Sequence, residues 1–346
     1  MGGADPEPVP PFLFSMARIL ITGGAGYIGA HTAHFLLRLG HDVEILDDLS
    51  KGYAHNVPAG RLHQFRLQDQ DRLAQLLASK PFHAVIHFAA FIAVGESVRE
   101  PARYLANNTG GSLALLECLQ QAGVHRLVFS STAAVYGDPA SVPIPESATL
   151  APVNPYGESK LMVETALNWL ARCTPFRFVA LRYFNACGAI AEYGIGEEHE
   201  PETHLIPLVF RAIRTGVPLT VFGNDYDTPD GTCIRDYIHV GDLASAHAAA
   251  LDHLLAGGPG GSFNAGTGQG YTVLEVIRAA ERVTGRPVPF QFGPRREGDP
   301  PALVADSSRL QRTLDWRPRI TALDDIIASA WAFDHHRFGP PGGHAV

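Results

Sequence analysis

The sequence has little of what marks several classes of protein. Its 346 residues include four cysteines and no CxxC pair, so neither a zinc-finger site nor a disulfide framework is indicated. The 16 histidines show no HExxH or similar ligand spacing, and we expect no metal. No apolar run approaches the roughly 18 residues that span a membrane. A net charge of −8 argues against a general basic surface for nucleic acid or anionic lipid. Together these absences favour a cytoplasmic enzyme.

A glycine-rich turn near the start of the chain is the first positive signal. The short apolar run 18–22 is followed by Gly23, Gly26 and Gly29, and a helical pattern begins at Tyr27. Strand, turn and helix in this order let the backbone approach a pyrophosphate at the helix N-terminus. A second apolar run ends in Asp47 and Asp48, about 20 residues beyond the glycines, where a carboxylate binds the adenosine ribose hydroxyls and repels a 2′-phosphate. We therefore predict NAD rather than NADP as the cofactor.

A tyrosine and a lysine lie four residues apart further along, at Tyr156 and Lys160. On a helix both would project from one face, where the ammonium could favour the ionised phenol and make it a base. Alone this spacing is weak evidence, since most such pairs are solvated helix surface. The glycine turn upstream is what favours the catalytic interpretation.

Strand-like and helical segments alternate through the first half of the chain, as in a mostly parallel sheet covered on both faces. We predict an α/β fold, a Rossmann-like doubly wound parallel sheet with a smaller C-terminal substrate-binding domain. The predicted strands include 18–22, 43–46, 62–65, 84–88, 126–130 and 178–181, and the predicted helices include 27–39, 71–79, 101–122 and 155–172.

The domain boundaries follow from where this alternation stops. Residues 16–183 are predicted to form the NAD-binding domain, with a segment of about 237–265 returning to its sheet. Residues 184–236 and 266–337 are then the substrate-binding domain. Residues 1–15 and 338–346, rich in proline and glycine, are expected to be a disordered extension and a disordered tail.

Eight stretches between residue 18 and about residue 331 carry a family resemblance. They are TGGAGYIG, ILDDLS, HFAAFIAVGES, NPYGESK, LRYFNACGA, HLIP, VFGNDYDTPDGTCIRDYIHV and RREGD. In them the chain resembles the UDP-glucose 4-epimerases (UDP-galactose 4-epimerases) of the extended short-chain dehydrogenase/reductase superfamily. The resemblance implies reversible 4-epimerisation of UDP-glucose and UDP-galactose, in galactose metabolism, through a 4-keto intermediate with tightly bound NAD.

The resemblance also implies roles for the reacting groups. Tyr156 would take the proton of the sugar 4-hydroxyl, and Lys160 would hold the nicotinamide ribose and lower the phenol pKa. Thr132 stands where the family commonly has the serine of a Ser-Tyr-Lys set, and its hydroxyl can relay the proton. Ala133 and Ala134 follow, where sugar-nucleotide 4,6-dehydratases have Asp-Glu, which argues against dehydration.

Further contacts are carried over by position. The resemblance places Arg235 and Arg296 on the diphosphate, Asp299 on the uridine ribose, and Phe222 on the uracil beside the backbone of Thr220. Asn185, His204, Leu205 and Leu303 would line the phosphates and sugar. The remaining cofactor contacts that it implies are Tyr27, Ile28, Asp69, Gln70, Phe88, Ala89, Ala90, Asn107, Tyr183 and Phe184.

Two alternatives stay open at this point. Leu303 is intermediate between the tyrosine and the cysteine that relatives place beside the sugar, so a 4-epimerase of a UDP-N-acetylhexosamine or a UDP-pentose is an alternative. A non-catalytic protein that binds NAD or a nucleotide sugar is an alternative of another class. The resemblance further implies a homodimer, through helices 101–122 and 155–172.

Overall fold

Seven parallel strands form the central sheet of the computed structural model, which describes residues 16–296 and 299–339. The expected disorder of residues 1–15 and of most of the tail falls outside these residues. The strands of this sheet and of two smaller sheets are, in chain order, β1 (Arg18–Thr22), β2 (Asp42–Asp47), β3 (Leu62–Gln64), β4 (Ala84–His87), β5 (Arg126–Ser130), β6 (Arg177–Tyr183), β7 (Asn185–Cys187), β8 (Leu219–Phe222), β9 (Ile234–His239), β10 (Gly261–Ala265), β11 (Gly270–Thr272), β12 (Phe290–Gly293) and β13 (Ala302–Leu303).

The α-helices are α1 (Tyr27–Arg38), α2 (Gln70–Ser79), α3 (Val94–Arg99), α4 (Pro101–Tyr104), α5 (Gly111–Gln121), α6 (Pro155–Cys173), α7 (Leu205–Thr215), α8 (Val240–Leu255), α9 (Val273–Thr284), α10 (Ser308–Leu314) and α11 (Leu323–Phe338). Short 3-10 helices cover Ala54–Asn56, Ala133–Tyr136 and Ala191–Tyr193. A π-helical turn, Leu105–Gly110, joins α4 to α5 within what the sequence predicts as one helix.

The large sheet has the order β10-β6-β5-β4-β1-β2-β3, with every pairing parallel. Buried side chains of α1, α8 and α10 pack on one face, and those of α2, α5 and α6 pack on the other. The strand order reverses between β1 and β4, and such a switch point is where open α/β sheets bind ligands. The predicted doubly wound sheet is confirmed, and it places the ends of β1, β2 and β4 around one crevice.

A second region carries two smaller sheets. Strand β9 pairs with β7, β11 and β13, and β8 pairs with β12. The apolar faces of α7, α9 and α11 enclose a separate core there. The predicted division into two domains rests on this separation and stays a prediction.

The strand that returns to the large sheet is β10, which pairs with β6. The prediction that residues 237–240 return is wrong, because β9 holds Tyr237 in the smaller sheet. The buried carboxylate of Asp236 explains this placement. It accepts hydrogen bonds from the backbone amides of Thr267, Gly268 and Ala305, which tie β9 to the segments that follow β10 and β13. Helix α8 does pack on the large sheet.

Candidate active site

The glycine turn lies at the switch point, between the carboxyl end of β1 and the start of α1. Gly23 has φ +73°, and a Cβ there would lie 2.5 Å from the backbone nitrogen of Ala89. A Cβ on Gly29 would lie 2.3 Å from the Gly23 carbonyl oxygen. Gly26 is the N-cap residue of α1. Tyr27 and Ile28, the first residues of α1, present backbone amides at this positive end of the helix. Glycine at both positions therefore lets the turn pack tightly on the backbone around it and sets the N-terminus of α1 at the end of β1, an arrangement that suits the pyrophosphate of a dinucleotide.

Asp47 ends β2 beside this turn and is nine-tenths buried. Its carboxylate accepts hydrogen bonds from the backbone amides of Ala25 at 2.9 Å and Leu49 at 2.8 Å. Burial raises the pKa of Asp47, with Asp48 adding to the effect, while the two amides lower it. Asp48 accepts the Ser50 amide at 2.9 Å. The predicted ribose carboxylate is thus held at the glycine turn by backbone donors.

The other residues predicted to contact the cofactor fall around the same crevice. The amides of Phe88 and Ala89 donate to the Thr22 carbonyl, which fixes the segment Phe88–Ala90 beside β1. Asp69 is the N-cap residue of α2, whose first residue is Gln70. Asn107 lies on the π-helical turn and donates to Asn108, whose own amide donates to Ser159 on α6. A π-turn widens the helix locally, and such turns are frequent at functional sites.

Tyr156 and Lys160 lie in the first two turns of α6, on one buried face, as predicted. Asn154 caps this helix by accepting the Gly157 amide at 2.9 Å, and Pro155 occupies the first turn. A Cβ on Gly157 would lie 2.6 Å from the Ala134 carbonyl oxygen. Glycine at position 157 therefore allows α6 to approach the 3-10 helix that begins after Thr132. This approach brings the Thr132 hydroxyl to the Tyr156 phenol.

Burial governs the electrostatics of the trio. Burial raises the pKa of Tyr156, and the Thr132 hydroxyl lowers it. Lys160 Nζ donates to the Ser130 carbonyl at 2.8 Å, and burial lowers the pKa of this amine to about 7. The effect of Lys160 on the phenol stays a prediction.

One carboxylate beneath the trio was missed by the sequence reasoning. Glu164 follows Tyr156 and Lys160 at the same spacing of four, on the buried face of α6. It accepts from Ser131 Oγ at 2.5 Å, from the Arg182 guanidinium at 2.6–3.2 Å and from Ser262 Oγ at 2.9 Å. These bonds join α6 to β5, β6 and β10. The repeated spacing was the available signal, since a third polar residue on a buried helical face needs a partner.

The residues predicted for the diphosphate and nucleoside also meet, in the second region. Arg235, on β9, forms an ion pair with Asp299. The Arg296 guanidinium lies 4.1 Å from the centre of the Phe222 ring, a stacked cation–π contact. Leu303 on β13 lies opposite Arg235 in register, and Leu303 and Phe184 both pack against the buried cluster of Val135, Tyr136 and Ile144. Four residues from two separate motifs thus come together, because the Asp299 amide donates to the Arg296 carbonyl and so joins the two pairs.

The remaining predicted residues take mixed positions. Asn185 is exposed at the start of β7, which directly follows Tyr183 and Phe184. Thr220 lies on β8, two residues before Phe222. Leu205 begins α7, and His204 is its N-cap residue. Burial would lower the pKa of His204, but Glu197 and Glu202 outweigh it and raise that pKa to about 10. His204 is therefore engaged with carboxylates, which the sequence did not predict.

Within residues 16–296 and 299–339, none of the helices is both long enough and apolar enough to cross a membrane. The sequence matches the model of the NAD dependent epimerase/dehydratase family over residues 19–266. A UDP-glucose 4-epimerase of Rhizobium meliloti is 48% identical over 322 residues, which are 92% of this chain and 97% of that protein.

Two solved structures are similar over nearly their whole length. The UDP-glucose 4-epimerase from Brucella ovis in complex with NAD is 44% identical, with a TM-score of 0.89 over 93% of this chain and 98% of that one. The UDP-glucose 4-epimerase from Bifidobacterium longum in complex with NAD+ and UDP is 38% identical, with a TM-score of 0.87 over 93% and 99% of the two chains.

Proposed function

Because the chain belongs to the NAD dependent epimerase/dehydratase family, we propose that it interconverts UDP-glucose and UDP-galactose with NAD held tightly through turnover. The observation that carries this proposal is the assembly of Thr132, Tyr156 and Lys160 beside the glycine turn. Ala133 and Ala134 follow Thr132 on the 3-10 helix. Methyl groups cannot move the protons that loss of water needs, so inversion at C4 is favoured over dehydration.

The residues of the crevice fit NAD. The tight turn that Gly23 and Gly29 permit would bring the backbone close to the pyrophosphate, the first turn of α1 would supply amide donors, and the Asp47 carboxylate would bind the ribose. NAD when bound would supply the hydride acceptor and donor for C4. Asp47 and Asp48 would repel the 2′-phosphate of NADP, which supports NAD as the cofactor of this chain.

The protein's own groups would then handle the proton and the substrate. Tyr156 takes the proton of the sugar 4-hydroxyl and returns it after the 4-keto sugar has turned over in the site. Thr132 hydrogen-bonds the same hydroxyl and relays its proton. Lys160, held by Ser130, binds the nicotinamide ribose.

The second region would bind the nucleotide that stays fixed while the sugar turns. Arg235 and Arg296 bind the diphosphate, because the planar guanidinium forms paired hydrogen bonds to phosphate oxygens. Asp299 binds the uridine ribose, and Phe222 stacks on the uracil beside the backbone of Thr220. Asn185, His204, Leu205 and Leu303 would line the phosphates and sugar.

A decisive experiment uses the purified protein with UDP-galactose and no added cofactor. Formation of UDP-glucose, followed by NMR, is expected to reach the same equilibrium mixture from either sugar. A need for added NAD in proportion to product would contradict the proposal. Bound NAD without interconversion would favour a binding protein or another UDP-sugar. UDP-N-acetylgalactosamine and UDP-arabinose, tested in parallel, report whether Leu303 leaves space for those sugars.

We also propose a homodimer and a cytoplasmic location. The helices predicted for the interface carry exposed apolar side chains, including Leu113 on α5 and Met162 and Trp169 on α6. Trp169 is 60% exposed, and covering this face would remove it from water. The four cysteines are unpaired, which suits a reducing compartment. Light scattering should give twice the chain mass, and Trp169→Asp should give the single-chain mass.

A further inference from the structure

Two histidines and two glutamates converge on the segment that leads into α7. They are Glu197, His199, Glu202 and His204, and one ligand atom from each lies within 4.8 Å of the other three. Their spacing, Glu-x-His-x-x-Glu-x-His, matches none of the metal motifs considered from the sequence. The segment between the 3-10 helix Ala191–Tyr193 and α7 folds so that all four side chains face one point.

The distances within this cluster suit ligands around a single ion. His204 Nδ1 lies 3.0 Å from Glu197 Oε1 and 2.8 Å from Glu202 Oε1. His199 Nδ1 lies 3.4 Å from Glu202 Oε2 and 3.8 Å from Glu197 Oε1. A tetrahedral ion with bonds of about 2.0–2.1 Å separates its ligands by roughly 3.3 Å. The observed separations lie on both sides of that value.

One nitrogen in the cluster is unsatisfied. His199 Nδ1 is buried, and within residues 16–296 and 299–339 it makes no hydrogen bond. It nevertheless faces the carboxylates of Glu197, whose side chain is 8% exposed, and Glu202, whose side chain is 13% exposed. Glu202 Oε1 already accepts from the amides of Thr203 and His204 and contacts His204 Nδ1, so the atom of the cluster that lacks a partner among the described residues is His199 Nδ1. A cation among the four side chains would satisfy this nitrogen.

We propose that Glu197, His199, Glu202 and His204 bind one divalent transition-metal ion, with Zn²⁺ the best match. Imidazole nitrogen is a ligand of Zn²⁺ and other late first-row ions, whereas Mg²⁺ and Ca²⁺ prefer oxygen alone. Metal binding requires both imidazoles to be neutral and therefore releases the proton held on His204; the two glutamates then give the set a charge of −2, which a divalent ion neutralises. Four protein ligands make a closed set, which is typical of a structural site.

The position of the site suggests what the ion stabilises. The ring of His199 meets the ring of Tyr27 edge to face, at 6.4 Å between centres, and Tyr27 begins the helix that follows the glycine turn. His55, on the 3-10 helix Ala54–Asn56, contacts Glu198, and Lys51 donates to the Glu200 carbonyl. The metal would therefore fix residues 197–204 against the NAD-binding crevice. It takes no part in the proton transfer at Tyr156.

Metal content tests the site directly, with protein that carries no histidine tag. After chelator treatment, loading with ZnCl₂ and gel filtration, elemental analysis should find one Zn²⁺ per chain. Zn²⁺ at a hundredfold excess over Kd should raise Tm by roughly 4 °C. His199→Ala and Glu197→Gln should each weaken binding by at least about 100-fold and abolish the Tm rise. His336→Ala, which removes an exposed histidine of α11, should keep one equivalent.

Cobalt distinguishes this site from adventitious binding to the exposed Cys173. Co²⁺ in the cluster should give the intense visible bands of a tetrahedral ion without the charge-transfer band of a cobalt–thiolate bond. An octahedral spectrum, a thiolate band, or one equivalent bound to His199→Ala would overturn the proposal, as would wild-type protein that retains no metal. If His199→Ala fails to fold, Glu197→Gln and the wild-type cobalt spectrum decide. Epimerase activity is not needed for any of these measurements.

Discussion

The side chains around Tyr156 and those around Arg235 differ in how they are held. Thr132, Tyr156 and Lys160 are each at least nine-tenths buried, and their positions depend on a helix cap and on a glycine that lets two backbones meet. Arg235 and Asp299 keep 12% and 29% of their side chains exposed, and they are held by each other across 64 residues of sequence.

This difference in burial suits two different functions, catalysis at the trio and substrate binding at Arg235. The buried trio is held by the protein's own helix cap and backbone packing, which suits groups that must act on a reacting atom with fixed geometry. The arginines are paired with a carboxylate and an aromatic ring, and a diphosphate would compete with or join those partners. We therefore expect changes in the trio to alter kcat and changes at Arg235 to alter KM.

Replacing Tyr156 with phenylalanine should give the largest effect. Phe keeps the buried ring but removes the phenol that exchanges a proton with the 4-hydroxyl, and kcat should fall about 10³-fold. The KM for UDP-galactose and the amount of bound NAD should stay within about twofold. NMR progress curves give kcat and the KM, and the absorbance of the cofactor released on denaturation gives the amount of bound NAD.

Thr132→Ser is the matched control, because it keeps the hydroxyl and loses one methyl group. Its kcat should stay within about fivefold of the wild type. Equal activity of the Tyr156→Phe and wild-type proteins would remove the phenol from the chemistry and end the contrast between the two regions.

The same contrast explains what could be predicted from the sequence. Strand–turn–helix order, the Asn-Pro helix start and the positions of Asp47 and Lys160 follow local rules, so the large sheet and the pairing of Tyr156 with Lys160 were predictable, whereas Thr132 came from the family resemblance. The pairing of β9 with β7, β11 and β13 could not be predicted. It depends on the Asp236 carboxylate accepting hydrogen bonds from backbone amides that lie 31 and 69 residues further along the chain. The same holds for the histidine and glutamate cluster. Its members lie close in sequence, but only the fold of their loop turns them to one point.

Replacing Arg235 with alanine should have the next largest effect. The diphosphate would lose a charged donor, and Asp299 would lose its partner, so the KM for UDP-galactose should rise about 50-fold. The kcat should change less than about threefold. Arg282→Ala is the matched control, since it breaks an exposed two-bond Arg–Asp pair on α9. A KM for Arg235→Ala equal to that control would place the diphosphate elsewhere.

The last predicted effect falls on stability and not on turnover: a pH dependence that comes from Lys160. Its pKa is about 7 in the folded protein and about 10.4 in an unfolded chain, so between these values the unfolded state binds more protons. The free energy of unfolding should therefore rise with pH from 7 towards 10, by up to about 1.4 kcal/mol per pH unit from this residue. Below pH 7 its contribution should be flat. Lys160→Met cannot bind the proton, so the difference between the wild-type and Lys160→Met urea midpoints should change with pH above 7 and not below. If the wild-type and Lys160→Met urea midpoints changed with pH in parallel, the Lys160 amine would be solvated. The site around Tyr156 would then not be more deeply buried than the site around Arg235.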